Sequence, residues 1–158
     1  MKIRNFFACA IALLYSLMLV GCEKPYENQP PLIRSIALNQ PGAVKMLLNR
    51  GANANVSLAN GTTALMVAAS VGNSSIVQML LSHRALLNVR NKEGSSALLA
   101  AAGAGNSDVA MLLIKHGANP CQKNNGGLLA FQIALKWGNH ESARKLQYTC
   151  KTDAGEHA

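Results

Sequence analysis

The chain has 158 residues, of which 49% are apolar and only 14% are charged, against about 25% charged residues in an ordinary soluble domain. So few ionisable side chains leave little for acid–base catalysis. A chain of this length has room for one domain with a real core rather than two. Its net charge of +8 favours an acidic or anionic partner.

Much of the apolar surplus lies at the N-terminus. Phe6 to Val20 forms a nearly unbroken apolar run of 15 residues behind Lys2 and Arg4, a distribution typical of an export signal. The run is shorter than the roughly 20 residues that a membrane-spanning helix needs. We therefore predict a signal peptide over residues 1–21, and export argues against nucleic acid as a class of partner.

The run ends in Leu19-Val20-Gly21-Cys22, which resembles the lipobox of bacterial lipoproteins. The resemblance implies that the Cys22 thiol is acylated and that cleavage precedes it; the alternative is an ordinary cleaved signal with Cys22 a plain cysteine. The resemblance therefore predicts a lipid-anchored protein on the periplasmic side of the membrane. In lipoproteins of enteric bacteria an aspartate at the next position suggests retention in the inner membrane; because Glu23 stands there instead, the resemblance implies the outer membrane.

Residues 22–31 are polar and rich in proline, which predicts an extended tether. At about 3.1 Å per residue, the nine residues from Glu23 to Pro31 would reach roughly 28 Å, so the domain stays near the bilayer. The domain is expected over residues 32–152, followed by a disordered tail over 153–158.

Cysteine usage agrees with export. Once residues 1–21 are removed and Cys22 is acylated, Cys121 and Cys150 remain. A pair of thiols in the oxidising periplasm predicts one disulfide, and two separate buried thiols are the alternative. No CxxC or paired histidine accompanies them, so no metal site is predicted.

A 33-residue repeat organises the rest of the chain. Gly61-Thr62-Thr63-Ala64-Leu65 recurs as Gly94-Ser95-Ser96-Ala97-Leu98, and Gly72-Asn73 recurs as Gly105-Asn106. Each unit contains two short helices after an extended loop, and helices this short need neighbouring units to bury their apolar faces. The units are expected at about 25–57, 58–90, 91–123 and 124–152.

This pattern strongly resembles the ankyrin repeat. The resemblance implies an all-α solenoid of helix-turn-helix units with extended loops or β-hairpin fingers. The family's T-P-L-H tetrad appears here as Thr63-Ala64-Leu65-Met66 and Ser96-Ala97-Leu98-Leu99. Because its histidine hydrogen-bonds between loops, we expect the rigidity it supplies to be missing.

No catalytic constellation is visible, so the chain is not expected to be an enzyme or to hold a cofactor or metal. Asp108 and Glu141 share a repeat position at the start of the second helix, where a carboxylate satisfies free amides and the helix dipole. His83 and His116 share a position at its end, where they suit the dipole.

The resemblance instead implies a partner-binding surface at the loop tips and the exposed edge of the first helices. Trp137, the only tryptophan, is either the anchor of that surface or a filler that seals the end of the stack. Arg90 and Lys92, with Lys123, form a candidate basic stripe. The residues predicted to bind a partner are Asn60, Thr62, Val71, Arg90, Lys92, Glu93, Ser95, Asn125, Lys136 and Trp137.

The function that these resemblances imply is protein binding by a monomer held at a membrane through Cys22. The most concrete hypothesis is an immunity protein that neutralises an antibacterial effector such as a type VI secreted phospholipase. The alternative is an envelope adaptor or a stress-protection scaffold.

Overall fold

A computed structural model describes residues 28–152. The predicted signal peptide, Cys22, the tether as far as residue 27 and the tail over 153–158 lie outside the described residues. The helices are α1 (Pro31–Ala37), α2 (Pro41–Asn49), α3 (Ala64–Val71), α4 (Ser74–Ser82), α5 (Ala97–Ala104), α6 (Ser107–Lys115), α7 (Ala130–Lys136), α8 (His140–Gln147) and α9 (Thr149–Thr152).

The helices pair into units of a first and a second helix. Both helices of the third unit begin one full repeat after those of the second, at Ala97 against Ala64 and at Ser107 against Ser74. First helices contact one another in chain order, and so do second helices. The predicted all-α solenoid is therefore confirmed.

The expected β-hairpin fingers are reduced to turns. Over residues 28–152 the only extended pairing is an isolated antiparallel bridge between Ser57 and Thr63. Each loop between units reverses direction in a tight turn, and the segments on either side of that turn are too short to form a ladder of backbone hydrogen bonds.

Small residues in the first helices explain how a chain so apolar has so few aromatic residues. Ala68, Ala69, Ala101 and Ala102 have no exposed surface, because α3 and α5 each lie between two other first helices and against their own second helix. Alanine at these contacts lets the helices approach closely. The second helices are amphipathic and bury one face only, which includes Ile76, Val77 and Leu80 in α4.

Both ends of the described chain differ from expectation. Pro31, predicted as extended tether, is the first residue of α1, a position that suits proline because the amide it lacks would be unpaired there. At the other end, α9 follows α8 directly and was not predicted.

Asparagine side chains link each unit to the one before it. Asn106 Nδ2 donates to the carbonyl oxygens of Ala69 and Ser70, both at 2.9 Å. Asn139 repeats the arrangement, with Nδ2 2.9 Å from the carbonyl oxygen of Gly103. We call these contacts the asparagine bridges. They satisfy carbonyls at the end of a first helix and supply inter-repeat hydrogen bonds that the absent histidines do not.

A second set of links joins the loop after each second helix to the next unit. Asn55 Nδ2 donates to the carbonyl oxygen of Arg84 at 3.2 Å, and Asn88 Nδ2 donates to that of Gly117 at 3.3 Å. Each pair is 29 residues apart. Arg84 has a φ of 61°, whereas the equivalent Gly117 has 95°; a left-handed backbone costs a non-glycine residue about 1–2 kcal/mol.

The disulfide occupies the third position in this series. Cys121 stands one repeat after Asn88, and Cys150 stands one repeat after Gly117. The two cysteines are bonded across a separation of 29 residues, with their Cα atoms 5.2 Å apart. The predicted pairing is confirmed, and a covalent link replaces a hydrogen bond where the stack ends.

Candidate partner-binding surface

Three loop tips, which we call the fingers, share one backbone conformation. They are Leu58–Thr62, Asn91–Ser95 and Asn124–Leu128. In each, the first residue's amide donates to the last residue's carbonyl oxygen at 2.9–3.0 Å. The fourth residue is a glycine with φ between 74° and 81°, a conformation that glycine adopts without strain. The repeat therefore presents equivalent atoms at each tip.

Backbone hydrogen bonds join the fingers edge to edge. The amide of Lys92 donates to the carbonyl oxygen of Asn60 at 3.0 Å, and that of Asn125 to the carbonyl oxygen of Glu93 at 3.2 Å. Asn125 Nδ2 also donates to the Lys92 carbonyl oxygen at 2.8 Å. Four residues predicted to bind a partner thus lie on one continuous edge with exposed side chains.

Thr62 and Ser95, also predicted, close their fingers and are half-buried. Asn91 Nδ2 donates to Thr62 Oγ1 at 3.5 Å, and the Ser95 amide donates to Asn91 Oδ1 at 2.8 Å. These two residues fix the shape of the fingers more than they extend from them.

Arg90 lies beneath the fingers rather than at a tip. Its Nε donates to the carbonyl oxygen of Gly94 at 3.1 Å, and one terminal nitrogen donates to the Lys123 carbonyl oxygen at 3.0 Å and to Asn125 Oδ1 at 3.2 Å. The guanidinium therefore binds two neighbouring fingers together. All three residues of the candidate basic stripe are exposed, but the Arg90 guanidinium is engaged in these hydrogen bonds.

The C-terminal ends of the first helices form a second row, which we call the first-helix edge. It consists of Leu38, Val71, Ala104 and Trp137, each one repeat after the residue before it. Leu38 is 50% exposed and Trp137 is 46% exposed, whereas the two residues between them are half-buried. The row is small in its middle and bulky at both ends.

Leu135 helps to interpret Trp137. It stands one repeat after Ala102, which is fully buried, yet Leu135 is 48% exposed. A tryptophan that sealed the end of the stack would be expected to cover this position. The exposure of Leu135 therefore favours Trp137 as an anchor on the first-helix edge.

The predicted site residues thus form two groups in one layer. Asn125 precedes α7, while Lys136 and Trp137 lie at its C-terminal end; seven helical residues separate the groups by about 10 Å. Leu38 belongs with the second group and was missed. Its position one repeat before Val71 was the signal in the sequence that could have identified it.

Asp108 and Glu141 lie in the first turns of α6 and α8, as predicted, where a carboxylate suits the helix dipole, but they do not hold the N-cap positions. Asn106 and Asn139 hold the N-cap positions of α6 and α8. Lys145 Nζ lies 3.0 Å from a Glu141 carboxylate oxygen and 3.8 Å from one of Asp108. The hydrogen bond with Glu141 raises the pKa of Lys145 above its ordinary value. The Lys145–Asp108 pair links α8 to α6 across the surface, whereas the Lys145–Glu141 pair lies within α8.

Other kinds of site were also sought. Within residues 28–152, no group of histidine, cysteine and acidic side chains is arranged to hold a metal ion. No helix of that part of the chain is long and apolar enough to cross a membrane.

Stacked helix pairs with aligned loop tips define a helical-repeat module that binds other proteins. A model of the family described as ankyrin repeats (3 copies) matches residues 6–91 and 83–155. The chain therefore belongs to the ankyrin-repeat family, whose members are in general non-enzymatic modules for protein–protein interaction. Comparison with the curated proteins returns no match.

Proposed function

We propose that this protein is a periplasmic binding module, tethered to the outer membrane through Cys22, that neutralises an antibacterial effector. The observation that carries the proposal is the first-helix edge. Trp137 and Leu38 stand nearly half exposed at its two ends, and tryptophan is among the residues that most often dominate the energy of binding.

The disulfide supports the exported location. Cys121 and Cys150 are bonded and half-buried, and bonds of this kind persist in oxidising compartments but are rare in the cytosol. The lipobox-like segment before Cys22 supports the same location independently.

The tether supports an effector that attacks the membrane. The predicted tether ends before α1 begins at Pro31, so residues 23–30 would reach about 25 Å if extended and would hold the domain near the bilayer surface, where it could meet an enzyme that degrades lipids. A type VI secreted phospholipase is the class of effector that fits this position best. Its inhibition needs tight binding alone, which agrees with a family of binding modules.

The variant Trp137→Ala tests the surface. We expect it to weaken effector binding about 30-fold or more, because buried interface tryptophans contribute about 2 kcal/mol or more. Met111→Ala is the matched control, since Met111 is an exposed apolar residue on a second helix. Both variants should keep the free energy of unfolding within about 1 kcal/mol of the wild type. Loss of stability in Trp137→Ala alone would instead identify it as a cap residue.

Capture from cells, followed by competition growth, distinguishes the two functions. The proposal predicts a single tight partner delivered by a neighbouring strain, and poor survival of cells that carry Trp137→Ala. Capture of several resident envelope proteins, with normal survival, would favour the adaptor. Capture of no protein, together with normal survival of the cells that carry Trp137→Ala, would contradict both the immunity function and the adaptor function.

The variant Cys22→Ala tests the anchor. We expect wild-type protein from the membrane fraction to carry a diacylglycerol mass on its N-terminal peptide, and the variant to leave that fraction. A variant that still fractionates with membranes would contradict lipid attachment at Cys22.

A further inference from the structure

Basic side chains gather at the C-terminal ends of the second helices. In the described part of the chain, the acidic residues lie elsewhere: Asp108 and Glu141 at the opposite ends of second helices, and Glu93 on a finger. We call the row at the C-terminal ends the basic ridge. Its exposed members are Arg50, His83, Arg84, Lys115 and His116.

Helix capping explains only part of the ridge. His83 Nδ1 lies 2.8 Å from the carbonyl oxygen of Met79, and Lys115 occupies the last turn of α6, where a cation suits the helix dipole. Capping does not explain Arg84, which has a left-handed backbone where the equivalent positions are Gly51 and Gly117. Because a left-handed backbone is strained in arginine, the presence of an arginine at this position favours a role other than stabilising the fold.

Exposed apolar side chains lie along the same row. Leu86 is 59% exposed, and its amide donates to Asn55 Oδ1 at 2.7 Å, which fixes its backbone between two units. Tyr148 is 65% exposed and stands one repeat after Lys115. Neither packs into the core, so the ridge combines cations with apolar and aromatic side chains.

The ridge is a line rather than a pocket. Neighbouring units are joined through Asn55 to Arg84 and through Asn88 to Gly117, and packed helices lie about 8–10 Å apart. Cations therefore recur at about that interval. A fluid layer of anionic headgroups adapts to such a row, and leucine and tyrosine side chains suit the boundary between headgroups and acyl chains.

We propose that the basic ridge docks on the anionic phospholipid headgroups of a bilayer. The contact requires neither the effector nor acylation of Cys22, and it would orient the domain. A second helix of nine residues is about 13 Å long, and the first-helix edge lies near its other end. Docking the ridge therefore leaves Trp137 accessible to a protein partner.

Vesicle binding by the full chain tests the proposal. Phosphatidylethanolamine vesicles with about 30% phosphatidylglycerol are compared with phosphatidylcholine vesicles. The double variant Arg84→Glu/Lys115→Glu should bind the anionic vesicles about 25-fold more weakly or worse, since each cation near such a surface contributes about five-fold. The difference in binding between the wild type and this variant should shrink as the salt concentration is raised. The N-terminal apolar segment is common to all proteins compared.

Lys92→Glu/Lys123→Glu is the matched control, because it changes the net charge equally, at Lys92 on one finger and at Lys123 directly before the next. It should bind anionic vesicles within about two-fold of the wild type. Equal loss in both double variants would show an effect of net charge alone and would overturn the proposal. So would unchanged vesicle binding by the ridge variant, including the case in which that variant instead loses an acidic protein captured from cells.

Tryptophan fluorescence gives a second readout that does not depend on charge reversal. The chain has one tryptophan, so brominated lipid should leave Trp137 emission unquenched when the ridge faces the bilayer. A Leu86→Trp/Trp137→Phe variant should be quenched on anionic vesicles. Quenching of Trp137 emission, with no quenching in the Leu86→Trp/Trp137→Phe variant, would overturn the proposed orientation.

Discussion

Replacing Gly72 with alanine is expected to lower the free energy of unfolding by about 3 kcal/mol, the sum of a backbone cost and two lost hydrogen bonds. Gly72 has a φ of 85°, and a Cβ there would lie 2.6 Å from Asn106 Oδ1. A left-handed alanine costs about 1 kcal/mol. Displacing Asn106 removes its two hydrogen bonds to the preceding unit, each of which contributes about 1 kcal/mol.

Gly51→Ala is the matched control for this effect. Gly51 has the same φ of 85°, and no heavy atom lies within 4 Å of the position that a Cβ would take, so only the backbone cost of about 1 kcal/mol applies. Urea unfolding of both variants measures the difference directly. Equal losses would contradict a stabilising role for the asparagine bridges.

Removing the disulfide is expected to cost as much or more. The bond closes a separation of 29 residues, and on the chain-entropy model such a bond contributes about 3–4 kcal/mol. The Cys121→Ala/Cys150→Ala variant should therefore unfold at a correspondingly lower urea concentration. A loss below about 1 kcal/mol, well under the chain-entropy value, would show that packing alone holds the last unit.

A second variant separates the covalent bond from the position it occupies. Cys121→Asn/Cys150→Gly recreates the pair that Asn88 and Gly117 form one unit earlier. We expect it to recover about 1 kcal/mol relative to the double alanine variant, the usual contribution of one such hydrogen bond. If stability were not recovered, the two positions would be equivalent in geometry but would not form the same stabilising hydrogen bond.

Much of the fold could be predicted because each unit carries the same sequence signals as its neighbours. Glycines and leucines at a fixed spacing identified the helix pairs, and the counting of cysteines identified the Cys121–Cys150 bond. The asparagine bridges could not be predicted in the same way. The capping role is predicted for Asp108 and Glu141 instead. Only the structure shows the Asn106 and Asn139 side chains donating backwards to the preceding unit.

The positions of the candidate-site residues could be predicted from the repeat, but their hydrogen-bond partners could not. The fingers bring together Asn60, Lys92, Glu93 and Asn125 as the repeat implies. The guanidinium of Arg90 binds neighbouring fingers, because a long side chain finds carbonyl partners that a sequence does not display. Whether these residues contact a partner stays a prediction.

Site-directed photo-crosslinking in intact cells tests the central claim most directly. A photoreactive residue is placed at Val71 on the first-helix edge, and in a second strain at Met111 on α6, which lies outside that edge. The proposed function predicts one crosslinked protein from Val71, absent from Met111 and reduced by Trp137→Ala. Crosslinks of equal yield from both positions, or from Met111 alone, would contradict it.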